Sequence, residues 1–323
     1  MNPKISIIII NFNGLSYLKK TLPSVLSLSY PNYEVIVVDN GSHDGSVAFL
    51  EQEKKIKLIQ SPVYASKNYA ANYAVKQALG EHILFLDNDV ILTIPNLLQE
   101  LLAIWQNQEK IGLISLCLKN ETEDKIFGYG CFVNFIFSYN KKSISCQQAL
   151  KLHLSPIGTP QGAAFFISKK NWDLLKGYDE HLLFGGDDND IGQRLWLLGF
   201  KNILHSTSVQ IHIGMPEKTD NEKFSKKFAF IVYANLYTIV KNFRFFNSLI
   251  ALFLSSFFFF FKSVKQSIFR KSFLPFLSFL KGFFWFLKNL PIAFKKRKIV
   301  QVNRVVKKDI FLTVRPCLTK KEI

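Results

Sequence analysis

The chain has 323 residues, 48% of them hydrophobic and 20% charged, which excludes a disordered polymer and suits one large α/β domain with something smaller attached. Its formal charge of +17 is uneven: residues 1–240 carry 23 Lys and Arg against 22 Asp and Glu, whereas residues 241–323 carry 18 against 2. The same last 83 residues hold 18 of the 32 Phe. That distribution argues against a dispersed nucleic-acid-binding surface and for two parts facing different solvents.

Residues 5–10 are all Ile except Ser6, as expected for a strand covered on both faces and not for the apolar core of a signal peptide. Residues 17–28 follow at helical spacing, and residues 34–38 make a second buried strand that ends in the turn Asp39-Asn40-Gly41-Ser42. A helix is expected from about Ser46, a short strand at 56–59, and a helix over 66–79 stopped by Gly80. Residues 83–86 form a fourth strand broken by Asp87-Asn88-Asp89; a helix starts behind Pro95, and 112–118 is a fifth strand. Residues 120–160 read as irregular and aromatic. A strand at 163–167, a short helix at 171–175, a turn through Asp190 and a helix from there through Leu198 complete the pattern. Strands separated by single helices imply right-handed crossovers and a mostly parallel sheet. Cys117, Cys131, Cys146 and Cys317 have neither zinc nor disulfide spacing, which points to a reducing, cytosolic setting.

Open parallel sheets bind ligands outside the carboxyl ends of their strands. Asp39, Asp87 and Asp89 sit at such ends, and Asp187, Asp188 and Asp190 lie just before a helix. Each alone is ordinary turn or capping chemistry; their joint placement on one edge is not. Asp87 and Asp89 would repel each other at the end of a buried strand unless a cation sits there, and hard oxygen ligands suit Mg²⁺ or Mn²⁺ beside a diphosphate. No ATP-type or dinucleotide glycine fingerprint is present. Arg194 reads either as a substrate-phosphate contact or as an ion-pair or capping residue.

The runs SIIIINFNG (6–14), VVDNGSHDGS (37–46), ILFLDND (83–89) and GYDEHLLFGGDDNDIGQR (177–194) resemble the markers of family 2 inverting glycosyltransferases, in order over residues 4–214. The subgroup they look most like is the rhamnosyltransferase-like enzymes of bacterial surface-polysaccharide synthesis. The resemblance implies a GT-A, Rossmann-like nucleotide-sugar-binding fold. It also implies that Asn11, Phe12 and Asn13 wrap the nucleotide, that Asp39 binds its base and that Asn72 lies near it. Asp87 would face the ribose and metal, and Asp89 would be the direct metal ligand, with His212 able to approach it. Asp188 would be the general base that activates an acceptor hydroxyl. Asp187 stands where the family has Glu, and Lys67-Asn68-Tyr69-Ala70-Ala71 replaces a Gly-rich stretch, which alters how nucleotide or acceptor is held.

Two regions are therefore expected: a GT-A domain over 1–220 and a basic, Phe-rich helical region over 221–323. Residues 245–261 are uncharged, and as a helix they extend about 25 Å, short of a hydrocarbon core of about 30 Å. Arg244, Ser248, Ala251, Ser255, Lys262 and Lys265 fall on one stripe, and Lys271, Pro275, Ser278, Lys281 and Lys288 on a second. Narrow basic stripes on apolar helices describe segments lying in the interface plane. A hairpin or a single span would strand several Lys and Arg on the far side. Monotopic attachment to the anionic cytoplasmic leaflet of a bacterial plasma membrane is thus favoured over a true span; a packed helical subdomain or oligomer interface is the bland alternative. A sugar nucleotide and a glycan or lipid-linked acceptor are the expected partners, and nucleic acid is not. The rivals are a metal-dependent nucleotidyltransferase and a catalytically silent membrane scaffold.

Overall fold

A computed structural model describes the chain apart from residues 1, 63–65, 123–124, 137, 140–142, 215–219 and 315–323, so Cys317 lies outside the described residues. The first half alternates strand and helix: β1 (Ile5–Asn11), α1 (Leu15–Leu26), β2 (Tyr33–Asp39), α2 (Ser46–Glu51), β3 (Lys57–Gln60), α3 (Lys67–Val75) and β4 (His82–Asp87). The short β5 (Val90–Ile91), α4 (Leu97–Asn107) and the long β6 (Ile111–Lys119) follow. Where an irregular stretch is expected, the chain forms β7 (Lys125–Gly128), β8 (Phe132–Val133), β9 (Ser138–Tyr139), β10 (Ile144–Ser145) and α5 (Cys146–Leu150). Strands this short carry no period to read. β7 and β10 are held because Ile126 pairs with both Lys119 and Ile144, and β8 and β9 pair with each other. Then come β11 (Ala164–Ser168), α6 (Lys169–Leu175), α7 (Asp187–Leu197) and β12 (Lys201–His212).

The main sheet has ten strands along the order β10-β7-β6-β11-β4-β1-β2-β3, with β12 parallel on β6 and β5 antiparallel on the far end of β12. Strands β1 to β4 are mutually parallel. β11 runs antiparallel between β4 and β6 because it returns from the long 120–163 excursion and not from a single crossover helix. Both faces of the sheet are covered. Ile5, Ile7 and Ile9 pack on one side with Leu18, Leu22 and Leu98; Ile8 packs on the other with Ala70, Ala71 and Ala74 of α3. Helix α3 ends four residues earlier than its pattern suggests. Gly80 is not its stop: it lets the chain pass β1 so closely that a Cβ there would lie 2.4 Å from the Ser6 amide.

Three helices complete the chain: α8 (Asn221–Asn242), α9 (Phe245–Phe269) and α10 (Leu274–Asn303). α8 is packed into the α/β body and not merely tethered to it, with Phe228, Val232, Leu236, Tyr237 and Val240 buried among Leu182, Phe259, Phe279 and Phe286. On α9 the small members of the first stripe, Ser248, Ala251 and Ser255, turn inward together with Phe259 and Ser263, while its charged members Arg244 and Lys265 stay exposed. Small side chains let α9 approach its neighbours closely, and Ser248 and Ser263 satisfy their hydroxyls on carbonyls of their own helix. On α10, Pro275 and Ser278 of the second stripe are likewise buried. Most of the α9 Phe side chains are left outside. Phe246, Phe253 and Phe269 of α9 are 69–80% exposed.

Candidate active site

Strand register builds the site. Pairing of β1 with β2 sets Asn11 beside Asp39, and pairing of β1 with β4 sets Ile10 beside Asp87, so the loop residues and the carboxylates share one sheet edge. Beyond Asp87, the Asn88 side chain donates to Asn11 Oδ1 (2.7 Å) and its carbonyl accepts from Thr21 Oγ1 (2.8 Å), fixing the turn that carries Asp89. β12 brings His212 Nε2 to 3.1 Å from Asp89 Oδ1, and the Ile213 amide donates to the Asp89 carbonyl. At Gly214 a Cβ would fall 1.8 Å from Asp89 Oδ2, so a larger residue there would displace the carboxylate.

One ligand atom from each of Asp87, Asp89 and His212 falls within 4.8 Å of the others. Asp89 Oδ1 is buried with His212 Nε2 as its one close contact, and His212 Nδ1 is buried without a hydrogen-bond partner, which is costly unless something else satisfies it. Burial depresses the His212 pKa, but the contact with Asp89 and its charge outweigh it and hold the pKa above its ordinary value. Two carboxylates and an imidazole fit a divalent cation that accepts oxygen and nitrogen ligands.

Lys67, the first residue of α3, reaches Asp87 Oδ1 at 2.5 Å. Burial would lower its pKa, but Asp87, Asp187 and Asp188 raise it above its ordinary value. One cation therefore links the metal-capable corner to the start of α7. There Gly185 and Gly186 take φ of +72° and +80°, a left-handed turn open to few other residues, and place Asp187 and Asp188 in the first helical turn. Asp188 Oδ1 accepts the Asn189 amide at 2.8 Å. Burial, then the neighbouring Asp187 charge, push the Asp188 pKa up to about 7. Asp187 is also raised, by burial first, with Lys67 opposing.

The loop residues support one another. Asn11 is fully buried, donating to Asp39 Oδ1 (2.8 Å) and Ser42 Oγ (3.1 Å). Asp39 in turn accepts the Gly41 and Ser42 amides and the Ser42 hydroxyl. Asn13, at φ +48°, donates its amide to Ser42 Oγ and accepts the His43 amide. Between them Phe12 is 45% exposed at the edge.

Two expected contacts lie elsewhere. Arg194 is the ion-pair residue and not a phosphate contact: its Nη2 lies 2.7 Å from Asp190 Oδ2, and its remaining donors reach the Leu175 and Gly177 carbonyls. At i,i+4 from Asp190 it faces inward along α7, which spends its hydrogen bonds inside the protein. Asn72 is likewise engaged away from the loop, clasping the Tyr178 backbone through both its amide groups and donating to Glu180. His205 holds Glu100 at 3.0 Å. Lys67 escapes a sequence reading because only the α3–β4 contact reveals its role; its one signal is its place in the stretch that departs from the family pattern.

Behind the site, a buried network joins α7 to α8. Lys241 Nζ lies 2.6 Å from Asp179 and 2.8 Å from Asp190, and Asn242 donates to Asp190 and Gln193. Tyr237 donates to Asp179. Burial alone would raise the pKa of Asp179, but Lys241 holds it far below the usual range.

An open sheet with a buttressed loop, a cation-capable corner and a recessed carboxylate on one edge is the architecture of a GT-A nucleotide-sugar-binding protein. The family comparison agrees: residues 6–165 match Glycosyl transferase family 2, so the chain carries a family 2 glycosyltransferase domain of GT-A fold. It is 28% identical over 227 residues to the O-antigen biosynthesis protein RfbC of Myxococcus xanthus, covering 65% of this chain and 17% of that protein. It is 37% identical over 91 residues to the putative teichuronic acid biosynthesis glycosyltransferase TuaG of Bacillus subtilis, covering 27% and 36%. The chain thus spans well under two thirds of either relative. Among solved structures, the mannosyltransferase PcManGT of Pyrobaculum calidifontis, in complex with GDP-Man and Mn²⁺, shares the fold at a TM-score of 0.55 and 13% identity, covering 97% of this chain and 86% of that one.

Proposed function

We propose that the chain is an inverting glycosyltransferase that moves a sugar from a dTDP-, UDP- or GDP-sugar to a hydroxyl of a glycan or lipid-linked acceptor in bacterial surface-polysaccharide synthesis. The observation that carries this reading is the convergence of Asp87, Asp89 and His212 with Asp187 and Asp188 around Lys67. Asp89 and His212, with Asp87, would hold Mg²⁺ or Mn²⁺, which supplies Lewis-acid stabilisation of the charge on the leaving diphosphate. Lys67, paired with Asp87 at the same corner, would add a positive charge near that diphosphate. Asn11, Asp39 and Asn13 keep the nucleotide loop in shape, and Phe12 offers a flat apolar surface to the base.

Asp188 removes the acceptor hydroxyl proton. The freed oxygen bonds to the anomeric carbon as the bond to the diphosphate oxygen breaks, and the nucleoside diphosphate departs with the electron pair. A base with pKa near 7 is matched to this task, and a positioned base contributes about 10²–10⁴-fold. The exposed Phe of α9 and α10, with the basic residues among them, would seat the protein on the anionic cytoplasmic leaflet. α9 is the one helix among the described residues long and apolar enough to cross a membrane, yet only 22% of its most apolar window is buried. In-plane attachment is favoured because the inward Ser stripe uses α9 as a packed layer.

The test is a panel of sugar nucleotides, with and without Mn²⁺ or Mg²⁺, assayed for nucleoside diphosphate release and for anomeric configuration of the product. Metal-dependent release with inversion is expected. No turnover and no metal-dependent binding with any donor would leave the silent scaffold standing.

A further inference from the structure

β12 reaches the metal-capable corner through a break in its register. It follows β6 from Asn202 to His205, where His205 pairs with Leu116; the next step pairs Val209, and not Ser206, with Cys117. Ser206, Thr207 and Ser208 therefore form a bulge. Run on without those three residues, the strand would put Val209 where His212 now stands, and no imidazole would meet Asp89. Bulges beside active sites re-aim side chains in this way. This one is pinned from outside: Glu100 of α4 meets His205 Nε2 at 3.0 Å and accepts the Thr207 hydroxyl at 3.3 Å, and the Ser206 amide donates to His153 Nδ1 at 3.3 Å.

One side chain ties the bulge to the strand that carries Asp89. Gln210 is fully buried, and its Nε2 donates to Ser208 Oγ at 2.9 Å, closing the bulge. Its Oε1 accepts the Thr93 amide at 2.9 Å and the Thr93 hydroxyl at 3.2 Å; that hydroxyl also lies 3.0 Å from the Val209 carbonyl. These bonds stand where the β5–β12 ladder has ended. β5 pairs through two residues, Val90 with His212 and Ile91 with Ile211, and the Leu92 amide then turns to Ser24 Oγ of α1. So short a ladder is marginal by itself, and Asp89 is the residue just before it.

The imidazole needs such help. A metal-bound histidine ordinarily has its other ring nitrogen fixed by a hydrogen bond. His212 Nδ1 is buried without one among the described residues, and the Phe127 ring lies against it at 5.8 Å. Aim must then come from the backbone. We infer that Gln210 is a positioning residue for the cation: by clamping Thr93 to the β12 bulge it holds β5 on β12 and sets His212 against Asp89. The inference deepens the function proposed above and rests on its reading of that corner as a cation site.

Mn²⁺ binding to the full-length protein, read by electron paramagnetic resonance without any sugar nucleotide, tests this. The wild type should take up Mn²⁺ and show coupling to a histidine nitrogen in the pulsed spectrum, which His212→Ala should lose. Gln210→Met keeps the length of the side chain and removes its hydrogen bonds; it should weaken Mn²⁺ about 10–100-fold and reduce the nitrogen coupling. Thr93 is exposed, so Thr93→Val is a second variant that folds even if Gln210→Met does not. It keeps the amide bond to Gln210, loses the hydroxyl, and should weaken Mn²⁺ about fivefold. A lower Tm in Gln210→Met with wild-type affinity and nitrogen coupling would overturn the inference, because Gln210 would then serve stability alone. A wild type that binds no Mn²⁺ would remove the cation reading and this inference with it. A wild type that binds Mn²⁺ with nitrogen coupling, matched by both variants, would remove the inference alone.

Discussion

The sheet edge and the α8–α10 layer bury opposite things. At the sheet edge, Ile and Val fill the strands and carboxylates gather where the strands end, so burial there acts on charge and lifts Asp188 toward neutrality. In α9, burial is spent on Ser248, Ala251, Ser255 and Ser263 with Phe259, while Phe246, Phe253, Phe257 and Phe261 are left outside. A water-soluble helix does the reverse. The difference teaches that the two regions were shaped against different media, and that the charge cluster of Asp179, Asp190 and Lys241 is the joint between them.

The largest effect that would sharpen this contrast is at the base. Asp188→Asn should lower kcat by about 10²–10⁴-fold while nucleotide binding, read by calorimetry, is retained. Wild-type transfer should fall as pH drops through about 7, where Asp188 protonates. Stability runs the other way. Because the folded pKa is raised from 3.8 to about 7, the folded state binds the extra proton, and this group's favourable contribution is lost as pH rises through about 7. Asp188→Asn should therefore raise Tm over wild type at pH 8 and leave it unchanged at pH 3; a lower Tm at pH 8 would refute the buried-charge account.

The joint comes next. Lys241→Met leaves Asp179 and Asp190 without their shared cation, a loss of about 3–5 kcal/mol on the scale for breaking a buried pair, visible in denaturant unfolding of the metal-free protein. If the variant unfolds at the wild-type midpoint, the helical layer is an appendage after all. Smaller is the outer face. Phe253→Ser with Phe257→Ser should weaken vesicle binding by about 1.5–3 kcal/mol per side chain without changing Tm, because both are exposed. Smallest is the basic rim: Lys288→Gln should cost about 1 kcal/mol of binding to anionic vesicles and nothing with neutral ones.

Much of the sheet was legible because buried parallel strands read as unbroken Ile and Val runs and end in polar turns. Asp39, Asp87 and Asp89 could be assigned to one edge by topology rules alone. The stretch after β6 could not be read, since β7 to β10 are two to four residues long and carry no period. Sequence leaves Arg194 open between a phosphate contact and an ion pair, and only the resemblance puts Asn72 near the nucleotide; the structure has each satisfied inside the fold, which only their neighbours could reveal.

The sequence by itself determined the alternation of strands and helices, the acidic edge, and the split between a near-neutral body and a basic, Phe-rich end, because these depend on local pattern and composition. Tertiary structure alone decided that Lys67 pairs with Asp87 within the field of the α7 carboxylates, that His212 meets Asp89, and that Ser248, Ser255 and Ser263 of α9 face inward. Those outcomes depend on which surfaces meet, and burial, which sets both charge and exposure, is a property of the meeting and not of the segment.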